Sequence, residues 1–301
     1  MQKTTEQPTT APEATDGLVA AALRAEAWAG EPFLHPDEDP AQTLAPGTAR
    51  RRALDDALAE IEAGRRGPSS HWKVRYGLML GLERVLSERP PRLASGTELR
   101  RHQIDALAGM LTELISAVQS DDGSNGNGAF EEVAVEEDDE EEPDETSEED
   151  VLDELPASEE PDPGAVRRYR FRHPTASGKT IAAAGFVEAA RSLGVLILTH
   201  RRLLVSQFTR DLTDEGYGDR FCEAIEKGKE PLRGNPLTIQ TYAWFARHVG
   251  SLSREAYQLV ICDEAHTALG EKTSAAIRSR SRRTPGSRGT PTRSPARRTS
   301  S

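Results

Sequence analysis

Residues 259–266 read LVICDEAH: an apolar run, then two adjacent carboxylates, an alanine and a histidine. With Tyr257 and Gln258 ahead of it, the run is β-rich and short, which predicts a buried strand. Open α/β sheets gather ligands beyond the C-terminal ends of their strands, and this run delivers Asp263 and Glu264 there. Such a pair suits phosphoryl transfer. One carboxylate can hold Mg²⁺ through water, and the next can orient or polarise the attacking water.

The complementary half lies upstream, in HPTASGKT at 173–180. In a phosphate-binding loop, small residues let backbone N–H groups turn inward around phosphate oxygens, here Thr175, Ala176, Ser177 and Gly178. Lys179 neutralises the terminal phosphates, the Thr180 hydroxyl holds Mg²⁺, and the helix that follows adds its positive N-terminal end. His173 replaces the usual first glycine of that pattern. The chain between the two motifs alternates. Strands are predicted at 194–199, 237–239 and 257–262, and helices at about 179–192, 201–215 and 241–249. The expectation is a three-layer α/β phosphate-loop domain over 166–277, with a parallel sheet covered on both faces. The strand entering the loop, RRYRFR at 167–172, is far more basic than a central parallel strand should be.

Ahead of this domain, residues 17–120 read as helical. Leu54, Leu58 and Ile61 follow Thr48 as a cap. Trp72, Tyr76, Met79, Leu82 and Leu86 mark a second helix. A third begins near Thr97, with Ile104, Leu107, Leu111, Leu114 and Val118 on one face. Residues 1–16 are polar and rich in Thr and Pro, and are expected to be disordered.

The net charge of -12 conceals an uneven distribution. Residues 121–165 hold 21 of the 50 acids and no Lys or Arg, which leaves 38 bases against 29 acids elsewhere. Net charge therefore does not exclude a nucleic-acid partner. A block this acidic repels itself and reads as a disordered insert, although it can also mimic nucleic acid or recruit a protein partner. Residues 278–301 form a basic low-complexity tail with eight Arg and no acid. No apolar run approaches a membrane span, and the first residues lack the regions of a signal peptide, so a cytoplasmic protein with no membrane partner is expected. Two cysteines, Cys222 and Cys262, cannot make a disulfide framework or a cysteine-based zinc site.

Taken in order, these motifs resemble the first RecA-like domain of superfamily-two DEAD/DEAH helicases, in particular the type III restriction-enzyme helicase-subunit branch. The resemblance covers roughly 97–120 and 166–277. HPTASGKT is similar to motif I, and ICDEAH to motif II in its DEAH form. VLILTHRRLLVSQF (195–208) is similar to motif Ia and LTIQTYAWFA (237–246) to motif Ib. LRRHQIDAL (99–107) is similar to the family's adenine-reading helix, with Gln103 at the reading position.

The resemblance implies ATP and Mg²⁺ as cofactors and nucleic acid, DNA more than RNA, as partner. Lys179, Asp263 and Glu264 would be catalytic, and Thr180 and Asp263 would hold the metal. Arg201, Arg202 and Thr241 would meet the strand. His266 would couple nucleotide state to a neighbouring domain. The S/T-A-T element expected after DEAH is not found in TALGEKTSAAIRS (267–279), where the tail soon follows. A truncated chain unable to act as a motor is therefore expected, the alternative being a nucleotide-binding interaction or switch protein that recruits a protein partner through its helical region or acidic insert.

Overall fold

The computed structural model describes residues 11–120, 179–229, 234–253 and 255–265. The expected strand at 167–172, the acidic insert and the arginine-rich tail lie outside the described residues. Among those described, no helix is long and apolar enough to cross a membrane.

Six helices build the N-terminal region: α1 (Ala11–Ala29), α2 (Pro40–Thr43), α3 (Ala49–Glu62), α4 (Ser70–Trp72), α5 (Leu78–Ser87) and α6 (Arg101–Ser120). One π-helical turn, Lys73–Gly77, joins α4 to α5. The first helix reaches back to Ala11, into a stretch expected to lack structure. Its alanines favour a helix, and Pro12 falls in the first turn, where a missing N–H costs nothing. Thr48 caps α3 as its sequence predicts, its hydroxyl accepting from Arg51 N at 3.2 Å. Thr97 does not cap α6. Residues 92 and 98 pair in a small antiparallel bridge, which delays the helix. Its first turn is closed instead by Gln103, whose Oε1 accepts from Arg100 N at 2.9 Å.

Trp72, 2 % exposed, centres the helical core. Its indole donates to Ala53 O at 3.1 Å, and Trp28 packs edge-on at 5.5 Å.

The second half alternates: α7 (Lys179–Ala189), β1 (Val195–Thr199), α8 (Arg202–Leu212), β2 (Leu237–Thr241), α9 (Tyr242–His248) and β3 (Leu259–Cys262). The strands are parallel in the order β2-β1-β3, with Val195 level with Leu237 and Leu259. Side chains alternate between the faces as a pleat requires. Val195, Ile197, Leu237 and Ile239 join α7, α8 and the helices α5 and α6. Leu196 and Leu198 face the other way, toward Tyr242 and Phe245 of α9. This is a parallel α/β sheet with helices on both faces, preceded by a helical region.

Gly194 brings β1 in close to the segment before β3. A Cβ there would stand 1.7 Å from the Ala256 carbonyl oxygen. Gly194 O accepts from Gln258 N at 2.9 Å and from Leu259 N at 3.1 Å.

Candidate nucleotide and nucleic-acid site

The ends of β1, β2 and β3 converge on Asp263. Its N–H donates to Leu198 O at 2.9 Å, which extends the β1–β3 ladder by one residue. The Thr199 hydroxyl, fully buried at the end of β1, donates to Asp263 Oδ2 at 3.4 Å. Tyr242, the first residue of α9, donates its hydroxyl to Asp263 O at 2.8 Å. Glu264 then turns out of the strand with φ +50°, a left-handed conformation that costs a non-glycine residue roughly 1–3 kcal/mol. Burial pushes the Cys262 thiol up to about 11, with the Tyr242 hydroxyl pulling the other way. Cys262 is therefore a neutral, packed thiol. Burial, and then the neighbouring Cys262, Asp263 and Glu264, push the Tyr242 hydroxyl far up, so it stays protonated and able to donate.

Lys179 opens α7, and Thr180 follows it half-buried. The remainder of α7 is nearly enclosed, with Ala184, Val187 and Ala189 fully buried. Its C-terminal end is held by two arginines. Arg220 donates to Val187 O at 3.0 Å, Ala190 O at 3.1 Å and Leu193 O at 2.8 Å. Arg84 of α5 donates to Glu188 O at 2.7 Å and to its carboxylate at 2.8 Å, while its Nε reaches Glu31 at 2.9 Å. Carbonyls left over at a helix end take such donors readily, and cations there are stabilised by the negative end of the helix dipole. The helix that begins with Lys179 is thus anchored at its far end by Arg84 of the helical region and by Arg220 of the α/β half.

Arg201 and Arg202 stand exposed just past the end of β1, with Leu203 beside them 75 % exposed. His200, which precedes them, has a buried Nδ1 with no hydrogen-bond partner among the described residues. Thr241 ends β2 level with Thr199 and caps α9, accepting from Trp244 N at 3.2 Å. Gln103 is 2 % exposed at the start of α6, away from the sheet edge in sequence but on a helix that packs against α7.

Asp263, Glu264, Arg201, Arg202 and Thr241 therefore share one edge of the sheet. Thr175, Ala176, Ser177, Gly178 and His266 lie outside the described residues, and of Lys179 only the backbone is described. Sequence reasoning missed Thr199 and Tyr242. A lone Thr closing an apolar strand was an available signal for the first; nothing local marked the second.

The family described as "Type III restriction enzyme, res subunit" matches residues 97–283, more than half of the chain. The chain belongs to that family. No curated protein and no solved structure matches it. The matched span runs from just before α6 through the residues that follow β3, so α1 to α5 precede it. Membership makes this an ATP-dependent, helicase-type domain of RecA-like fold. A helicase-family domain generally uses ATP with Mg²⁺. Among the described residues no three His, Cys, Asp or Glu side chains gather around a point. Mg²⁺ typically takes only one or two carboxylates and completes its shell with phosphates and water.

Proposed function

We propose that the chain is the ATP-binding part of a DNA translocase or helicase. Lys179 and Thr180 contact the phosphates and Mg²⁺, together with the backbone of Thr175 to Gly178. Asp263 holds Mg²⁺ and Glu264 orients the attacking water. Bound Mg²⁺ would neutralise charge on the phosphates as the terminal group leaves. Arg201, Arg202 and Thr241 meet the strand backbone, a contact that is electrostatic and carries little sequence preference. Gln103 enters as the adenine reader through the family resemblance.

The observation that supports this reading best is the shared edge. Asp263, held by the end of β1 and by the first residue of α9, shares the C-terminal edge of the sheet with Glu264 and two exposed arginines, in a chain whose family is ATP-dependent. The test is ATP turnover by the purified chain with and without single-stranded DNA, alongside Lys179→Ala and Glu264→Gln. The expected result is binding of Mg·ATP weakened roughly 10- to 150-fold by Lys179→Ala, the loss of one charge-assisted phosphate contact. Turnover should be abolished by Glu264→Gln. Equal nucleotide affinity in wild type and Lys179→Ala would overturn the reading. Tight nucleotide binding with no turnover and no DNA affinity would favour a nucleotide-binding switch.

A further inference from the structure

Tyr242 bridges the two sides of the proposed site. Its backbone is the first turn of α9, immediately after Thr241, whose side chain caps that helix. Its hydroxyl ends on the carbonyl of Asp263, two strands away, because β2 and β3 lie on opposite sides of β1. The ring is 4 % exposed and belongs to the cluster of Leu198 and Phe245, with Cys262 packed against it. A buried aromatic ring has only two side-chain torsions, and packing holds both. It therefore transmits a displacement of α9 rather than absorbing it.

The acceptor matters as much as the donor. The Asp263 carbonyl belongs to the peptide that joins the two carboxylates. That peptide sets the backbone of Glu264, which sits at φ +50°. A left-handed non-glycine residue persists only where its surroundings over-determine it. Among the described residues, the contacts that hold Asp263 include Leu198 O, the Thr199 hydroxyl and the Tyr242 hydroxyl. The last of these comes from α9, the helix that Thr241 caps.

We propose that Tyr242 is a positioning residue that couples nucleic-acid contact at the start of α9 to the Asp263–Glu264 pair, through its hydrogen bond to the peptide between them. The inference rests on the function proposed above. Strand engagement at Thr241 shifts the first turn of α9, the hydroxyl carries that shift to the peptide, and Glu264 moves relative to Asp263. Linkage then requires the reciprocal effect. Mg·nucleotide held at Asp263 must change affinity for the strand by the same factor.

The experiment measures that factor with the full chain, by anisotropy of a labelled oligodeoxythymidylate with and without saturating Mg·ADP. Wild type should show strand affinities that differ by about fivefold or more between the two conditions, the lower end of ordinary coupling. Tyr242→Phe removes one hydroxyl and keeps the ring, so each separate affinity should persist while the difference shrinks to within about twofold. Thr199→Val serves as the contrast. It removes a contact to the Asp263 side chain but not the bridge to α9, so it should weaken Mg·ADP binding and keep the coupling.

Full coupling in Tyr242→Phe would overturn the inference, as would a wild type that binds both ligands independently. Loss of both separate affinities in Tyr242→Phe, with a melting temperature far below wild type, would assign the hydroxyl to folding alone and also overturn it. A wild type that binds neither ligand would instead overturn the proposed function itself.

Discussion

Gly81 of α5 and Ala189 of α7 meet backbone to backbone: a Cβ on Gly81 would stand 1.7 Å from the Ala189 carbonyl oxygen. The obstacle is main chain, so no side-chain rotation relieves it. Gly81→Ala should therefore push α5 away from α7, at roughly the 1–3 kcal/mol of an overpacked core or more. The melting temperature should fall by several degrees. Gly109→Ala is the control. It is also mid-helix, in α6, but nothing lies within 4 Å of the added carbon. That variant should gain about 0.5–1 kcal/mol from helix propensity. Equal melting temperatures for the two would show that α5 and α7 do not depend on this approach.

Arg84 should be costly to remove. It is the counter-charge shared by Glu31, which is 0 % exposed, and Glu188. Arg191 stands 3.6 Å from Glu31 on a half-exposed side chain, too far for a hydrogen bond. Arg84→Met should thus cost about 3–5 kcal/mol, most of it from stranding buried carboxylates. The double variant with Glu31→Gln should recover part of that loss, because one stranded charge is gone. Urea midpoints of the two variants test this; a double variant less stable than the single would show that charge is not the reason.

What the sequence disclosed and what it hid divide by distance along the chain. The strands at Val195–Thr199, Leu237–Thr241 and Leu259–Cys262 are apolar, β-rich runs, and their alternation with helices was enough to place a parallel sheet. Thr48 was legible because a capping hydroxyl finds its partner three residues on. Arg84 was not, since Glu188 is 104 residues away. Arg220 was hidden for the same reason, as it reaches carbonyls 27 to 33 residues distant. Asp263 and Glu264 were legible as a pair, but the Tyr242 bond that ties them to α9 spans 21 residues and has no pattern. Thr97 misled because its hydroxyl bonds Ser95 instead, while Arg92 and Glu98 pair in a bridge before the helix begins.

Glu38 sets an acid limit on the helical region. Burial pushes its carboxyl up, but the Arg50 hydrogen bond, the His35 backbone N–H and the Arg50 charge outweigh that and hold it below the ordinary 4.5. A carboxyl lowered on folding binds fewer protons folded than unfolded in that window, so stability falls as pH falls. Its contribution should be constant above the ordinary carboxylate range and should disappear as pH drops through the lowered value. Melting curves of wild type and Glu38→Gln from neutral pH downward should differ by a fixed amount and then converge in acid. A gap that is unchanged in acid would mean that ionisation of Glu38 contributes nothing.

Gln103 has one role visible in the fold and one that is proposed, and a single variant separates them. Its Oε1 accepts the Arg100 N–H at the start of α6, a role visible in the fold. The family resemblance adds adenine reading, which remains a proposal. Gln103→Met keeps the length of the side chain and removes both polar atoms. Losing the acceptor should lower stability by about 0.5–1.5 kcal/mol, the net worth of one hydrogen bond, whichever role holds. Only adenine reading changes the ratio of ADP to GDP affinity, because buried polar groups built to match one base reject another when unpaired. Under the proposal the ratio should fall toward one in Gln103→Met. A lower melting temperature with an unchanged ratio would leave Gln103 as the residue that starts α6, and base selection would then have to come from another part of the chain.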